Sequence, residues 1–253
     1  MTTPLDILSV EPDRPVFPLF ITAHPDDETI QTGGLLAWLH DAEVSTHVLT
    51  CTRGELGESM PGVLPATVQR EDLVRVRNSE LTRALAELGV AEHDYLGTAP
   101  ARANGYTPRY YVDSGMRATN GGYVPIDPTN PVSFSNSSMD DMLDDLLALV
   151  ERVSPSVLVS YHSIPGEGHP DHITAHQLSI MAAERTGLPL VEVVRKGTDP
   201  SFTWFDFPAQ REPVIRALNC YRSQLQVEGD FLSRVNGHLT ALPLHLGMRR
   251  WIT

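Results

Sequence analysis

Pro18-Leu-Phe-Ile-Thr-Ala23 runs straight into His24-Pro-Asp-Asp-Glu28, six uncharged residues followed by a turn crowded with acids. An apolar run of that length, unbroken by alternation, reads as a short strand buried on both faces, and Gly33 to His40 beyond it reads as a helix. The same succession recurs downstream. Val157 to Tyr161 is a second buried run, a His169-Pro-Asp-His172 turn follows, and Asp171 to Thr186 is helical, closed by Gly187-Leu-Pro189. Between the two lie a β-branched strand (Val44 to Thr50), a helix over Thr67 to Leu88 with Gly89 as its stop, a short strand near Tyr95 and a helix over Met139 to Val153. Strand alternating with helix predicts an α/β fold: a Rossmann-like, mostly parallel sheet with helices on both faces.

Two stretches fall outside the alternation. Residues 97–138 are rich in Pro, Gly and Asn and carry tyrosines at 106, 110, 111 and 123; they read as a long irregular lid or substrate loop, since a structureless segment of that length is usually functional. Residues 200–253 read as a small C-terminal extension: an aromatic strand (Phe202 to Phe207), a helix from about Gln210 to Leu225 and an irregular tail. No linker divides the chain, so 1–253 is expected to be a single domain.

Composition narrows the function classes. A formal net charge of −13 argues against nucleic acid or an anionic membrane surface as partner, because phosphate binding draws on clustered Lys and Arg. No apolar run approaches the ~18 residues of a membrane span, and residues 1–13 lack a signal-peptide pattern, so a cytoplasmic location is expected. Cys51 and Cys220 are no disulfide framework and read as two buried thiols in a reducing compartment.

Chemistry concentrates in the two His-Pro-Asp turns. Open α/β sheets place ligands at the carboxyl ends of their strands, where both turns lie. Pro25 holds His24 extended, so His24 and Asp27, three apart across the turn, can meet at one metal ion. Neighbouring carboxylates repel, and a divalent cation relieves that cost; the plain alternative is an acidic helix start favoured by the macrodipole. A second His-Pro-Asp turn at a corresponding place supplies further imidazoles. Two His and one carboxylate with an open position is the donor set of a catalytic zinc site, and iron(II) fits the same ligands. Spacing leaves open a His172–His176 ligand pair on one helix face, with His162 nearby.

The paired motifs resemble those of the PIG-L/LmbE-like zinc N-deacetylases. Thr50-Cys-Thr-Arg-Gly-Glu55, Arg77 within Arg-Asn-Ser-Glu-Leu, Asp113-Ser-Gly-Met116 and Tyr221-Arg-Ser-Gln224 are similar to stretches of the actinobacterial mycothiol-pathway branch, so the likeness runs from about residue 17 to 228. The resemblance implies a Rossmann-like deacetylase acting on an N-acetylglucosamine conjugate such as N-acetylglucosaminyl-inositol. It implies Zn2+ on His24, Asp27 and His172, Asp26 as general base, His169 as the imidazole at the oxyanion or leaving amine, Asp171 orienting that imidazole, and Arg77 and Asp113 on the sugar hydroxyls. The implied partner is a small amino sugar, with no nucleic acid and no membrane, and a homo-oligomer is compatible with it. The chain departs from the branch at Glu167, where the branch has a tyrosine that assists at the oxyanion, at His162, where it has Asp, and in a shorter C-terminal end. Those departures leave open a larger amide, such as a thiol conjugate or a glycosylated secondary metabolite, or a non-catalytic metal-containing sugar-binding module.

Overall fold

β1 (Pro18–Thr22) is buried at every residue because strands flank it on both edges and helices cover it. The computed structural model describes residues 2–9, 13–65, 67–162 and 168–251. In chain order, a short helix α1 (Pro4–Leu8) precedes β1; then come α2 (Asp27–Asp41), β2 (His47–Thr50), α3 (Arg70–Glu87) and β3 (Glu92–Tyr95). A hairpin of β4 (Arg117–Thr119) and β5 (Gly122–Val124) follows, then α4 (Met139–Val153), β6 (Val157–Tyr161), α5 (Pro170–Thr186) and β7 (Leu190–Val194). The C-terminal part holds β8 (Thr203–Asp206), α6 (Arg211–Leu218), β9 (Leu225–Glu228), β10 (Phe231–Arg234), β11 (Leu239–Ala241) and β12 (His245–Arg250).

The central sheet has seven strands in the order β3-β2-β1-β6-β7-β12-β8. The first five are parallel; β12 pairs antiparallel with both β7 and β8. Chain direction across the sheet reverses between β1 and β6, so a crevice opens there beyond the carboxyl ends of two neighbouring strands. The core is the apolar stack of Leu19 and Ile21, Val48, Leu158 and Val191 against Leu35 and Leu39 of α2, Leu81 of α3 and Leu178 of α5. No helix among the described residues is long and apolar enough to cross a membrane.

Several boundaries differ from the sequence reading. Helix α2 begins at Asp27, inside the acidic motif, rather than at Gly33, because the acids occupy its first turn where the helix dipole favours them. The expected irregular tail is a three-stranded antiparallel unit, β9-β10-β11, and β12 returns into the main sheet; α6 is correspondingly shorter than expected. The return passes over α2 at Gly34, whose N–H donates to Pro243 O at 3.1 Å and where a Cβ would stand 2.6 Å from that oxygen. Residues 97–138 are tied to the body: Tyr111 and Phe134 are fully buried, and Tyr111 donates its hydroxyl to Asp145 at 2.8 Å. Cys51 is a buried thiol as expected, whereas Cys220 is partly exposed.

Candidate metal centre

The end of β1 is anchored to β6 before the first motif begins. Ala23 donates its N–H to the hydroxyl of Tyr161, the last residue of β6, at 2.8 Å. The chain then turns so sharply that Asp26 takes φ 114°, a region costly for a residue with a side chain and found where the surroundings over-determine the backbone. That turn separates Asp26 from Asp27, so the two adjacent carboxylates serve different parts of the site. Across the crevice His169 caps α5, its Nδ1 accepting the Asp171 N–H at 3.2 Å, with Pro170 in the first helical position where no N–H is needed.

The two motifs converge on one point. Asp27 Oδ2 lies 3.2 Å from His24 Nδ1 and 3.1 Å from His172 Nε2. The three residues expected as a ligand set are therefore brought together, and each offers one donor atom to a common centre. Behind them, His24 Nε2 stands 3.1 Å from Asp171 Oδ2 and 3.5 Å from Asp113 Oδ1. Asp171 thus meets His24 through its carboxylate, and donates its backbone N–H to His169 Nδ1. Tyr161 lies against His172 with ring centroids 4.6 Å apart.

The electrostatics fit a cation. Burial pushes Asp27 towards its neutral form, but His172 and His24 overcome it and hold the carboxylate well below its ordinary range, so the donor is ionised. Burial lowers the His24 pKa, yet Asp113, Asp171 and Asp27 raise it well above the ordinary value. A proton on His24 thus supplies the positive charge that the carboxylates demand, and a divalent ion would take that place and release it. Asp26 is raised to about 6 by burial, with Arg234 and Arg77 opposing. His169 is lowered to about 4, first by burial and then by charge on His24.

The centre floors a cleft of about 630 Å³ whose wall includes Asp26, Arg77, Asp113, Gln224 and Arg234. Arg77 is buried, its Nη1 donating to Gly54 O at 2.5 Å and Nη2 to Glu58 O at 3.1 Å, while its Nε has no partner among the described residues. Asp113 is held by the N–H groups of Leu56 and Gly115, at 3.2 and 2.8 Å. Glu167 lies outside the described residues.

Residues 19–183, well over half the chain, match the family described as PIG-L, GlcNAc-PI de-N-acetylase. The chain belongs to the PIG-L family. Its 1D-myo-inositol 2-acetamido-2-deoxy-alpha-D-glucopyranoside deacetylase relative from Nocardioides sp. is 38% identical over 174 residues, covering 68% of this chain and 55% of that protein. The relative of the same name from Saccharomonospora viridis is 32% identical over 259 residues, covering 89% and 91%. The chain therefore spans about half the length of the first and nearly all of the second. N,N'-diacetylchitobiose deacetylase from Pyrococcus horikoshii shares the fold, with a TM-score of 0.59 at 18% identity over 81% of this chain and 69% of that one.

In this PIG-L chain several site residues had no role assigned in the sequence reading. Glu28 is fully buried and accepts the hydroxyls of Tyr221 and Thr29, and burial raises it to about 7. Ser223 bonds Glu80 of α3 through its N–H at 2.7 Å and its hydroxyl at 2.6 Å. The Tyr221-Arg-Ser-Gln224 stretch thus braces α2 and α3 and delivers Gln224 to the cleft. Arg234, from β10, had no signal at all, since only the folding of the C-terminal unit brings its charge near Asp26.

Proposed function

We propose that the chain is a zinc-dependent N-deacetylase that hydrolyses the acetamide of an N-acetylglucosamine conjugate, with N-acetylglucosaminyl-inositol as the first substrate to consider. The convergence of His24 Nδ1, Asp27 Oδ2 and His172 Nε2 beside Asp26 on one cleft floor carries this reading, and the names of the two relatives supply the substrate class. Two imidazoles and an ionised carboxylate suit zinc, with the cleft side left open. The chemistry a bound zinc supplies is polarisation of the amide carbonyl and acidification of a water towards a pKa of ~7.

The protein's own groups do the rest. Asp26, adjacent to the ligand set and with a pKa close to the working range, takes the proton of the attacking water and passes it to the departing amine. His169 acts as a neutral donor: its Nδ1 accepts the Asp171 N–H, so its proton sits on Nε2, where it can bond the developing oxyanion. Asp113 and Arg77, which line the cleft, are the groups placed for sugar hydroxyls. Residues 97–138 act as the substrate loop through Asp113, Met116 and Ile126, which line the cleft.

The test is free-amine release from N-acetylglucosaminyl-inositol and from plain N-acetylglucosamine, with metal quantified before and after chelation. Metal-dependent release from the inositol conjugate is expected. No release from either, with one metal per chain still bound, would send the search to other amides.

A further inference from the structure

A second group of histidines and a carboxylate lies one helical turn away from the first. His176, four residues after His172 on α5, projects to β7, where its Nε2 stands 2.7 Å from Glu192 Oε1. His162, just past β6, reaches the same oxygen with Nδ1 at 3.0 Å. The pattern repeats the first centre: two imidazole nitrogens on either side of one carboxylate oxygen, from neighbouring elements, with all three donor atoms able to face one point. Glu192 is 1% exposed, and so is not a solvated surface acid.

We propose that His162, His176 and Glu192 form a second, weaker divalent-cation site of the zinc type. Two imidazoles and one carboxylate oxygen favour zinc, copper or nickel over magnesium or calcium. Access runs through His162, which lines an open cleft of about 500 Å³ together with His172, Lys196, Asp199 and Trp204. His172 borders both clefts, so an ion at the second site sits close behind the first. The second site is the weaker because Arg249 stands beside it. The guanidinium bonds Glu192 Oε2 at 2.6 Å from Nη2, and that same Nη2 is 3.4 Å from His162 Nδ1. Asp199 also bonds this arginine, at 3.1 Å, which divides its charge between two carboxylates and leaves Oε1 to the imidazoles. The same bonds orient Glu192 with that oxygen towards the histidines.

Zinc binding to the full chain, measured by equilibrium dialysis, tests this. Wild type is expected to take up two equivalents differing at least tenfold in Kd. The pair His24→Ala with Asp27→Asn should keep only the weak one, and His162→Ala should keep only the tight one. His162 is the most exposed member of the group, so its removal spares the core, and an unchanged melting temperature in the metal-free variant checks this. Cobalt added to the His24→Ala, Asp27→Asn protein should give visible bands that His162→Ala abolishes. Saturation of wild type at one equivalent in millimolar zinc, or a second equivalent that survives His162→Ala, would overturn the proposal.

Discussion

Asp171 Oδ2 stands 3.1 Å from His24 Nε2, so the carboxylate of one His-Pro-Asp turn holds the imidazole of the other. Asp171 is fully buried, and the same oxygen accepts the N–H of Ser114 at 2.9 Å, which brings the 97–138 segment into the arrangement. A carboxylate behind a metal-ligating imidazole fixes its tautomer and direction; with an ion bound, Asp171 would hold the Nε2 proton of His24 and leave Nδ1 free to ligate.

Replacing Asp171 by Asn should therefore act on the metal before it acts on catalysis. A fall of about 10–100-fold in metal affinity is expected, read by competition with a chelator. If affinity were unchanged while turnover fell, Asp171 would serve His169 or the substrate instead.

Asp26→Asn preserves shape and removes the base. With metal content verified as unchanged, kcat should drop by roughly 10²–10⁴. Near-normal turnover of the loaded variant would assign the proton transfer elsewhere.

The 97–138 segment is anchored by Asp145, a fully buried carboxylate on α4. Arg102 bonds both its oxygens at 2.9 Å, Ala103 donates an N–H at 2.8 Å, and Tyr111 donates its hydroxyl at 2.8 Å. Asp145→Ala leaves these donors, including a largely buried guanidinium, without a partner and should cost about 3–5 kcal/mol in denaturant unfolding. Tyr111→Phe removes one donor and should cost on the order of 1 kcal/mol. Equal costs for the two would mean that the arginine pair contributes little.

His93 gives a pH dependence remote from the metal. Burial lowers its pKa to about 4, reinforced by His47 and Arg53 and opposed by Asp94. Below about 6.5 the unfolded chain takes up a proton that the folded one refuses, so stability falls as pH drops from 6.5 towards 4. Unfolding at pH 7.5 and pH 5 should show the loss, and His93→Gln should reduce it; an identical loss in both proteins would place the titration on other groups.

The parallel strands and the helices between them were legible because each buries a continuous apolar run or a helical stripe. Met139–Val153 and Val157–Tyr161 fall where the periodicity puts them. The meeting of His24 and Asp27 was legible for a similar reason, since a His-Pro-Asp turn after a buried strand constrains direction locally, whereas the choice of His172 over His176 rested on the resemblance. Less was visible at Asp113 and Arg77. Both are brought to the cleft, yet Arg77 spends two of its three nitrogens on the backbone of the 54–58 loop. That use has no sequence signature, because backbone carbonyls are the same at every residue.

The sequence alone determined the architecture, the two motifs and the chemistry of their donors, since all three follow from local pattern and side-chain type. Tertiary structure decided the rest. It set the Asp171 carboxylate against His24, because the crevice between β1 and β6 sets α5 opposite the first turn. It made the tail a β-unit whose Arg234 faces Asp26, and drew His162, His176 and Glu192 to one point. Each of these depends on elements far apart in the chain, and the register of a sheet, not the spacing of residues, decides which side chains share a space.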